Sequence, residues 1–176
     1  CARFIHSVSN RMNHPFVVAA CASLSNQMVD QLLFGFNDGK NKNDAKSLFE
    51  QANNGTIYFN EICDLPIDTQ AKLINVIQDQ SFYKLGSNKK IKIDIRVIAG
   101  TSYDPNEAVK NGVLREDLYY RLSVVPIYIP SLNSRIEDIH VLIKSFMEVA
   151  SKIFNKNKLI FADETYILLQ SFDWKG

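Results

Sequence analysis

The sequence predicts an α/β fold with a mainly parallel sheet, followed by a helical segment. Three observations predict it. Short buried apolar runs, Phe16–Ala20, Thr56–Asn60 and Ile93–Gly100, recur before Pro130. Helical patterns lie between them, and parallel strands need such crossovers. After Pro130 the apolar positions change period: Ile136, Ile139, Ile143, Phe146, Ala150 and Ile153 recur at helical spacing.

The elements follow in order. Arg3-Phe4-Ile5-His6 is helical, and Pro15 punctuates before the strand Phe16–Ala20. Asn26–Leu33 is a short helix, Gly35–Lys46 a polar loop and Ser47–Asn53 a helical turn. Thr56–Asn60 is a strand; Asp68 then caps a helix over Thr69–Asp79 with Leu73, Ile74 and Ile77 on one face. Ile93–Gly100 is a further strand. Pro105 opens a helix that stops at Gly112. Leu114–Leu122 is helical, and Val124–Ile129 is a strand closed by Pro130. A last helix falls near Asp163–Phe172. The expected division is an α/β part over 1–130 and a helical part over 131–176.

Composition excludes several classes. The 176 residues carry a net charge of +1 with acids and bases interspersed, so no basic face marks a nucleic-acid binder. The run Lys89, Lys90, Lys92 reads as a solvated turn and strand edge. Three well-separated cysteines, Cys1, Cys21 and Cys63, show no metal-ligand spacing and fit free thiols in a reducing cytoplasm. No run of about 18 apolar residues and no signal peptide occur. A lipidated Cys1 is the alternative to a start inside a longer protein; the helical pattern after it favours the latter. His14 and His140 have no ligand partners nearby in sequence, and His6 reads as structural.

Two segments carry chemistry. Thr56–Ile62 is an apolar strand ending in Asn60 and Glu61. A strand ending in Asp-Glu holds the shell of Mg²⁺ with the first acid and polarises an attacking water with the second. Here the first position is Asn60, and a strand with a polar end is also an ordinary feature. The second segment is Gly112–Leu122, with Arg115 and Arg121 flanking apolar Leu114, Leu118 and Leu122 at helical spacing. It reads either as an amphipathic helix with solvated arginines or as two fingers that reach a phosphate. Arginine suits the latter because its fork grips phosphate oxygens bidentately and stays charged.

In order and spacing these segments resemble the ATPase domain of NtrC-like, sigma-54-type activators, a branch of the AAA+ family. The resemblance rests on Ala2-Arg3-Phe4-Ile5-His6, Pro15-Phe16-Val17, Leu33-Phe34-Gly35, Phe49-Glu50-Gln51-Ala52, Gly55-Thr56, Gln70-Ala71-Lys72-Leu73 and Asp94–Ala99. Arg115-Glu116-Asp117-Leu118-Tyr119-Tyr120-Arg121-Leu122 is its most specific part, and Pro130, Leu132, Arg135 and Glu137-Asp138-Ile139 close it. The resemblance implies a three-layer P-loop sandwich with a helical lid, assembled as a ring with ATP and Mg²⁺ between subunits. Glu61 takes the water-polarising role, Arg115 and Arg121 the finger roles, Asn60 the metal position and Ser102 the sensor position. Tyr119 and Tyr120 would pack or line the ring interface, and Phe172 and Trp174 would belong to the lid core. The first strand and the P-loop would precede Cys1, and a second arginine sensor would follow Gly176.

The departures from the family gather at the chemistry. No Gly-x-x-x-x-Gly-Lys-Ser/Thr occurs; Gly35–Asn41 is one residue short and lacks the Ser/Thr. Asn60 replaces an Asp. Ala20 stands where the family has an Asn that holds the catalytic Glu, and Ser102 where it has an Asn after Ala-Thr. The apolar loop that touches sigma-54 is replaced by the shorter polar stretch between Gly35 and Phe49. These losses resemble the NtrX-like subgroup of response regulators, in which a receiver domain precedes this domain and a DNA-binding domain follows it. The expectation is a cytoplasmic regulator module that binds ATP and forms rings, with impaired hydrolysis and no sigma-54 contact. A sensor kinase and promoter DNA would act through domains outside this chain, and the chain itself would bind ATP and Mg²⁺ weakly. The alternatives are a working ATPase that remodels sigma-54 RNA polymerase, and a scaffold that never meets ATP.

Overall fold

The computed structural model describes residues 1–22, 26–37, 46–155 and 161–174. The chain divides into two compact units, Cys1–Val125 and Pro126–Gly176.

The first unit is built on a parallel sheet of three strands in the order β1 (Phe16–Ala20), β2 (Thr56–Asn60), β5 (Arg96–Gly100). The register runs straight across: Ala20 pairs with Asn60, and Asn60 with Gly100. An antiparallel pair, β3 (Ser81–Tyr83) and β4 (Lys90–Lys92), lies apart from it, so Lys90 and Lys92 stand on an exposed strand and Lys89 in the turn before it. Helices α1 (Ala2–Ser7), α2 (Asn26–Phe34), α3 (Leu48–Gln51), α4 (Ile67–Asp79), α5 (Pro105–Lys110) and α6 (Glu116–Leu122) complete the unit.

Strand alternation sorts the two faces of the sheet. Ala19, Ile57 and Phe59 are buried in one continuous core with Leu33, Phe34, Phe49, Leu73, Phe82 and Leu118. Phe49 is its hub, with ring centroids 5.3 Å from Phe34 and 5.5 Å from Phe82. On the other face, α1 covers the amino ends of the strands. His6 is buried there, its Nδ1 3.0 Å from Thr56 Oγ1 and its ring 5.2 Å from Phe16, a structural setting. Gly55 is dictated by a close approach, since a Cβ would lie 2.1 Å from the Pro15 carbonyl oxygen.

Several boundaries move for physical reasons. α3 starts after a full capping box, Ser47 with Glu50. α4 starts at Ile67 behind Pro66, so Asp68 lies in its first turn and is not the cap. Ile93–Ile95 do not join the parallel ladder: the Ile93 N–H reaches the Gln80 carbonyl, the Asp94 N–H reaches Asn53 Oδ1 and the Ile95 N–H reaches Gln80 Oε1. The strand therefore starts at Arg96. Asp104 caps α5 with Pro105 at its first position, and Gly112 follows at φ +70°.

Val124–Ile129 is not a strand. Val124 lies in a turn and Val125 in a bend, the rest pairs with no strand, and Val124, Val125 and Tyr128 are 79%, 76% and 88% exposed. Alternation alone favours an extended backbone, but a strand needs a neighbour to pair with.

The second unit holds α7 (Asp138–Ile153) and α8 (Asp163–Ser171). α7 begins after Ile136, so that residue is outside the helix. Ile139 is buried, whereas Phe146 and Ile153 on the same spacing are largely exposed. Phe172 is exposed rather than core. Trp174 is half-buried, its indole N–H donating to the Leu169 carbonyl, and its ring lies 5.1 Å from Phe172. His140 meets the Tyr166 ring at 4.9 Å. Among the described residues no helix is long and apolar enough to cross a membrane. Residues 38–45, which fall in the expected Gly35–Lys46 loop and include most of Gly35–Asn41, lie outside the described residues.

Candidate functional site

The carboxyl ends of β1, β2 and β5 bring together Ala20, Asn60, Glu61, Gly100, Thr101 and Ser102. Ligands bind at this end of open α/β sheets because the strands stop there and the loops diverge. β2 puts Tyr58 and Asn60 on one face by its period of two, and the Tyr58 hydroxyl donates to Asn60 Oδ1 at 3.1 Å. A Cβ at Gly100 would lie 2.6 Å from that hydroxyl, so glycine is what lets Tyr58 lie across β5.

Glu61 leaves the strand in the left-handed region, φ 59° and ψ 66°. Its Oε2 accepts two bonds, from the Ser102 N–H at 2.8 Å and the Ser102 hydroxyl at 3.0 Å. Thr101 anchors the same loop: its Oγ1 donates to Cys63 Sγ at 3.3 Å and accepts the Tyr103 N–H at 3.1 Å. Asn60 and Ser102 are exposed and Glu61 is half-buried. The site thus combines a fixed carboxylate with exposed neutral polar groups.

Its electrostatics keep the remaining groups neutral. Burial, then the charges of Asp64 and Glu61, push the Cys21 thiol up to about 12. Cys63 is raised chiefly by burial, with the Thr101 bond opposing. The Tyr58 phenol is raised by burial and then by Glu61 and Cys21. None of the three offers an anion near neutral pH, and nucleophilic cysteine chemistry has no basis here. Among the described residues no cluster of three or more His, Cys, Asp or Glu could hold a metal.

The arginines form a separate group. Arg115 is extended and caps α6 rather than lying within it. Its N–H donates to Gln70 Oε1 at 2.9 Å, and the Gln70 amide donates to the carbonyls of Leu65 and Val113, each at 2.9 Å. Its guanidinium grips Asp117 bidentately at 3.0 and 2.9 Å, which raises Arg115 and holds Asp117 below the usual carboxylate range. Arg121 is exposed and donates to Gln78 Oε1 at 3.3 Å. Among the described residues no hydrogen bond or ion pair joins either arginine to Asn60, Glu61 or Ser102. Tyr120 is 67% exposed beside the half-buried Tyr119.

Sequence reasoning named Asn60, Glu61, Ser102, Arg115 and Arg121 as candidates and did not name three residues that contact them or shape their surroundings, Tyr58, Gly100 and Gln70. Tyr58 was legible two positions before Asn60 on one strand face. Gly100 was visible as the residue opposite Asn60 once the register was known. Gln70 gave no local signal, because its partners are distant backbone groups.

A parallel sheet with helices, and a carboxylate beside polar side chains at the strand ends, make an α/β domain whose fold matches the AAA+ domain of NtrX. The chain matches the sigma-54 interaction domain family over residues 1–128 and belongs to that family. A response regulator described as NtrX-like from Rickettsia conorii is 42% identical over 175 residues, covering 99% of this chain and 37% of that protein. The nitrogen assimilation regulatory protein NtrX of Azorhizobium caulinodans is 37% identical over 99% of this chain and 38% of its own length. NtrX from Brucella abortus, solved in complex with ADP, superposes with a TM-score of 0.89 at 34% identity over 98% of this chain and 38% of that one. The same protein in complex with ATP gives a TM-score of 0.88. The chain therefore spans about two-fifths of the length of these relatives.

Proposed function

We propose that this chain belongs to the central ATP-binding, ring-forming domain of an NtrX-like two-component transcription regulator, with impaired hydrolysis and no sigma-54 contact. Asn60 carries the reading. It stands at the end of β2, where a strand of this class ends in Asp, and its Oδ1 already accepts the Tyr58 hydroxyl. The Brucella abortus relative in its ATP and ADP complexes supports nucleotide binding.

The residues fit a weakly held Mg²⁺. An amide oxygen with one lone pair committed is a legitimate but uncharged ligand, and Mg²⁺ commonly takes few protein ligands beside phosphates and water. When bound, the ion supplies charge neutralisation at the phosphate oxygens. At an effective dielectric of about 20, a unit charge pair at 4 Å is worth roughly 4 kcal/mol before desolvation, so losing part of it costs about 10- to 100-fold. Glu61 would orient the attacking water. Ser102 would face the terminal phosphate. Arg115 and Arg121 would reach the nucleotide of a neighbouring subunit in the ring, with Arg115 leaving Asp117 to do so. The cradle for the other phosphates is not among these residues, so the chain alone should bind Mg·ATP more weakly than micromolar, as titration calorimetry would read. Phosphorylation by a sensor kinase and promoter binding would belong to other domains, in the cytoplasm.

ATP turnover by the full-length protein beside Asn60→Asp tests the reading. The variant should turn over or bind Mg·ATP about 10- to 100-fold better; a wild type as fast as the variant refutes impairment. A working ATPase that remodels sigma-54 polymerase is the second reading, favoured by the retention of Glu61, Arg115 and Arg121.

A further inference from the structure

We infer that Tyr58 is a positioning residue that sets which end of the Asn60 amide is offered to bound phosphates, and that the end it leaves free is the donor end. The inference rests on the nucleotide-binding reading above and concerns how far that site depends on Mg²⁺.

A carboxylate at the end of β2 would have two equivalent oxygens and need no orientation. An amide has two unlike ends. Its oxygen accepts hydrogen bonds or ligates a cation, whereas its NH2 only donates. Mg²⁺ takes oxygen ligands, and a phosphate oxygen takes a donor. Whatever orients the Asn60 amide therefore selects between the ion and the phosphate.

Tyr58 does the orienting. Its hydroxyl donates to Asn60 Oδ1 at 3.1 Å, and among the described residues that is the one hydrogen bond of either side chain. The oxygen is thus drawn to Tyr58, and the NH2 is left without a partner among the described residues. Tyr58 is in turn held by packing. Its ring stacks on Phe16, with centroids 6.5 Å apart and planes 17° apart. Phe16 is flanked by His6 at 5.2 Å and lies under the Arg3 guanidinium at 4.8 Å. Tyr58 stands in register between Val18 and Ile98, and its hydroxyl fills the space that a side chain at residue 100 would take. A packed ring therefore fixes the exposed amide. A hydrogen bond of ordinary net strength biases the two amide orientations about two- to tenfold. The site then receives a phosphate oxygen on the NH2 without an ion, and Mg²⁺ adds less affinity than it would beside an amide free to turn.

Binding of a non-hydrolysable ATP analogue to the full-length protein, by titration calorimetry in Mg²⁺ and in EDTA, tests this. The readout is the ratio of the two affinities; the effect of Mg²⁺ on the analogue itself cancels between variants. Tyr58→Phe removes the hydroxyl and keeps the ring, so the amide turns freely and the ratio should rise about threefold or more. In an Asn60→Asp background both ends are oxygens, and the same substitution should leave the ratio within about twofold. A ratio unmoved by Tyr58→Phe beside Asn60 overturns the inference. An equal rise in both backgrounds also overturns it, because Tyr58 then shapes the site without orienting the amide. Should Tyr58→Phe not fold, Gly100→Ala puts a methyl 2.6 Å from the hydroxyl, displaces it with the ring intact and should raise the ratio likewise; an unmoved ratio there overturns the inference equally. Failure of every variant to bind the analogue, with or without Mg²⁺, overturns the nucleotide reading and the inference with it, whereas binding with an unmoved ratio overturns the inference alone.

Discussion

Gln70→Leu is the sharpest test of how this fold positions Arg115. Gln70 is fully buried, and its amide answers three backbone groups: the carbonyls of Leu65 and Val113 and the N–H of Arg115. Leucine fills a similar volume but answers none of them. An unpaired buried polar group costs about 1–3 kcal/mol, and Val113 and Arg115 are exposed enough for water to replace part of the loss, so the sum is about 2–4 kcal/mol. For a chain of this size that lowers Tm by about 4–16 °C. Urea unfolding should show a lower midpoint at an unchanged slope. Because the Arg115 backbone loses its tether, turnover by the full-length protein should fall about as far as in Arg115→Ala. A stability loss under about 1 kcal/mol, with turnover intact, would refute the reasoning, since it would show that the three contacts are replaced by water without cost.

Three further outcomes follow from the same geometry. Glu50 resists burial through the Ser47 bonds and Lys84 at 3.2 Å, so its carboxyl sits below its ordinary value; the ionised form stabilises the fold above about pH 4.3 and that stability is lost as pH falls through the lowered value. Glu50→Gln should therefore be less stable than wild type at neutral pH, with the gap closing in acid, as denaturation at several pH values would show. Gly55→Ala should unfold the chain or cost more than about 3 kcal/mol, because the methyl must displace the Pro15 carbonyl; circular dichroism checks it. Alkylation at pH 8 should label exposed Cys1 well before buried Cys21, whose thiol is pushed up to about 12, as mass spectrometry of timed samples would read.

What was legible in the sequence was what depends on near neighbours. Phe16–Ala20 is an apolar run behind Pro15 and Thr56–Asn60 one closed by polar residues, and β1 and β2 occupy those spans. Pro105 and Ser47 announce their helices through capping chemistry that needs only three following residues. What was not legible depends on distant partners. Ile93–Ile95 has strand composition, yet Gln80 and Asn53 take its N–H groups away from the sheet. Val124–Ile129 has the pattern of a strand and no neighbour to ladder with. Arg115 reads as helical by spacing, but its N–H is drawn to Gln70 and the helix starts one residue later. At the site, residue identities were readable and their connections were not; nothing local says that Ser102 holds Glu61.

The register brings the scattered departures from the family to one place. Ala20, Asn60 and Gly100 lie in one row across the end of the sheet, and Ser102 follows two residues later. At Gly100 an alanine Cβ would lie 2.6 Å from the Tyr58 hydroxyl. With glycine at 100, Tyr58 has room to lie across β5 and reach Asn60. With Tyr58 donating, the acceptor must be an oxygen, which Asn60 supplies without bringing an anion beside Glu61. The carboxylate of Glu61, with no donor on Ala20, is taken up by Ser102 instead. Asn60 is thus answered by Tyr58 on its own strand and Glu61 by Ser102 beyond the next strand, so the polar groups at this end of the sheet have partners. Random loss would leave buried or half-buried polar groups without partners at this end of the sheet, and among the described residues the unpartnered buried side-chain atoms belong to Ser81, Arg135 and Ser151, none of them at the site.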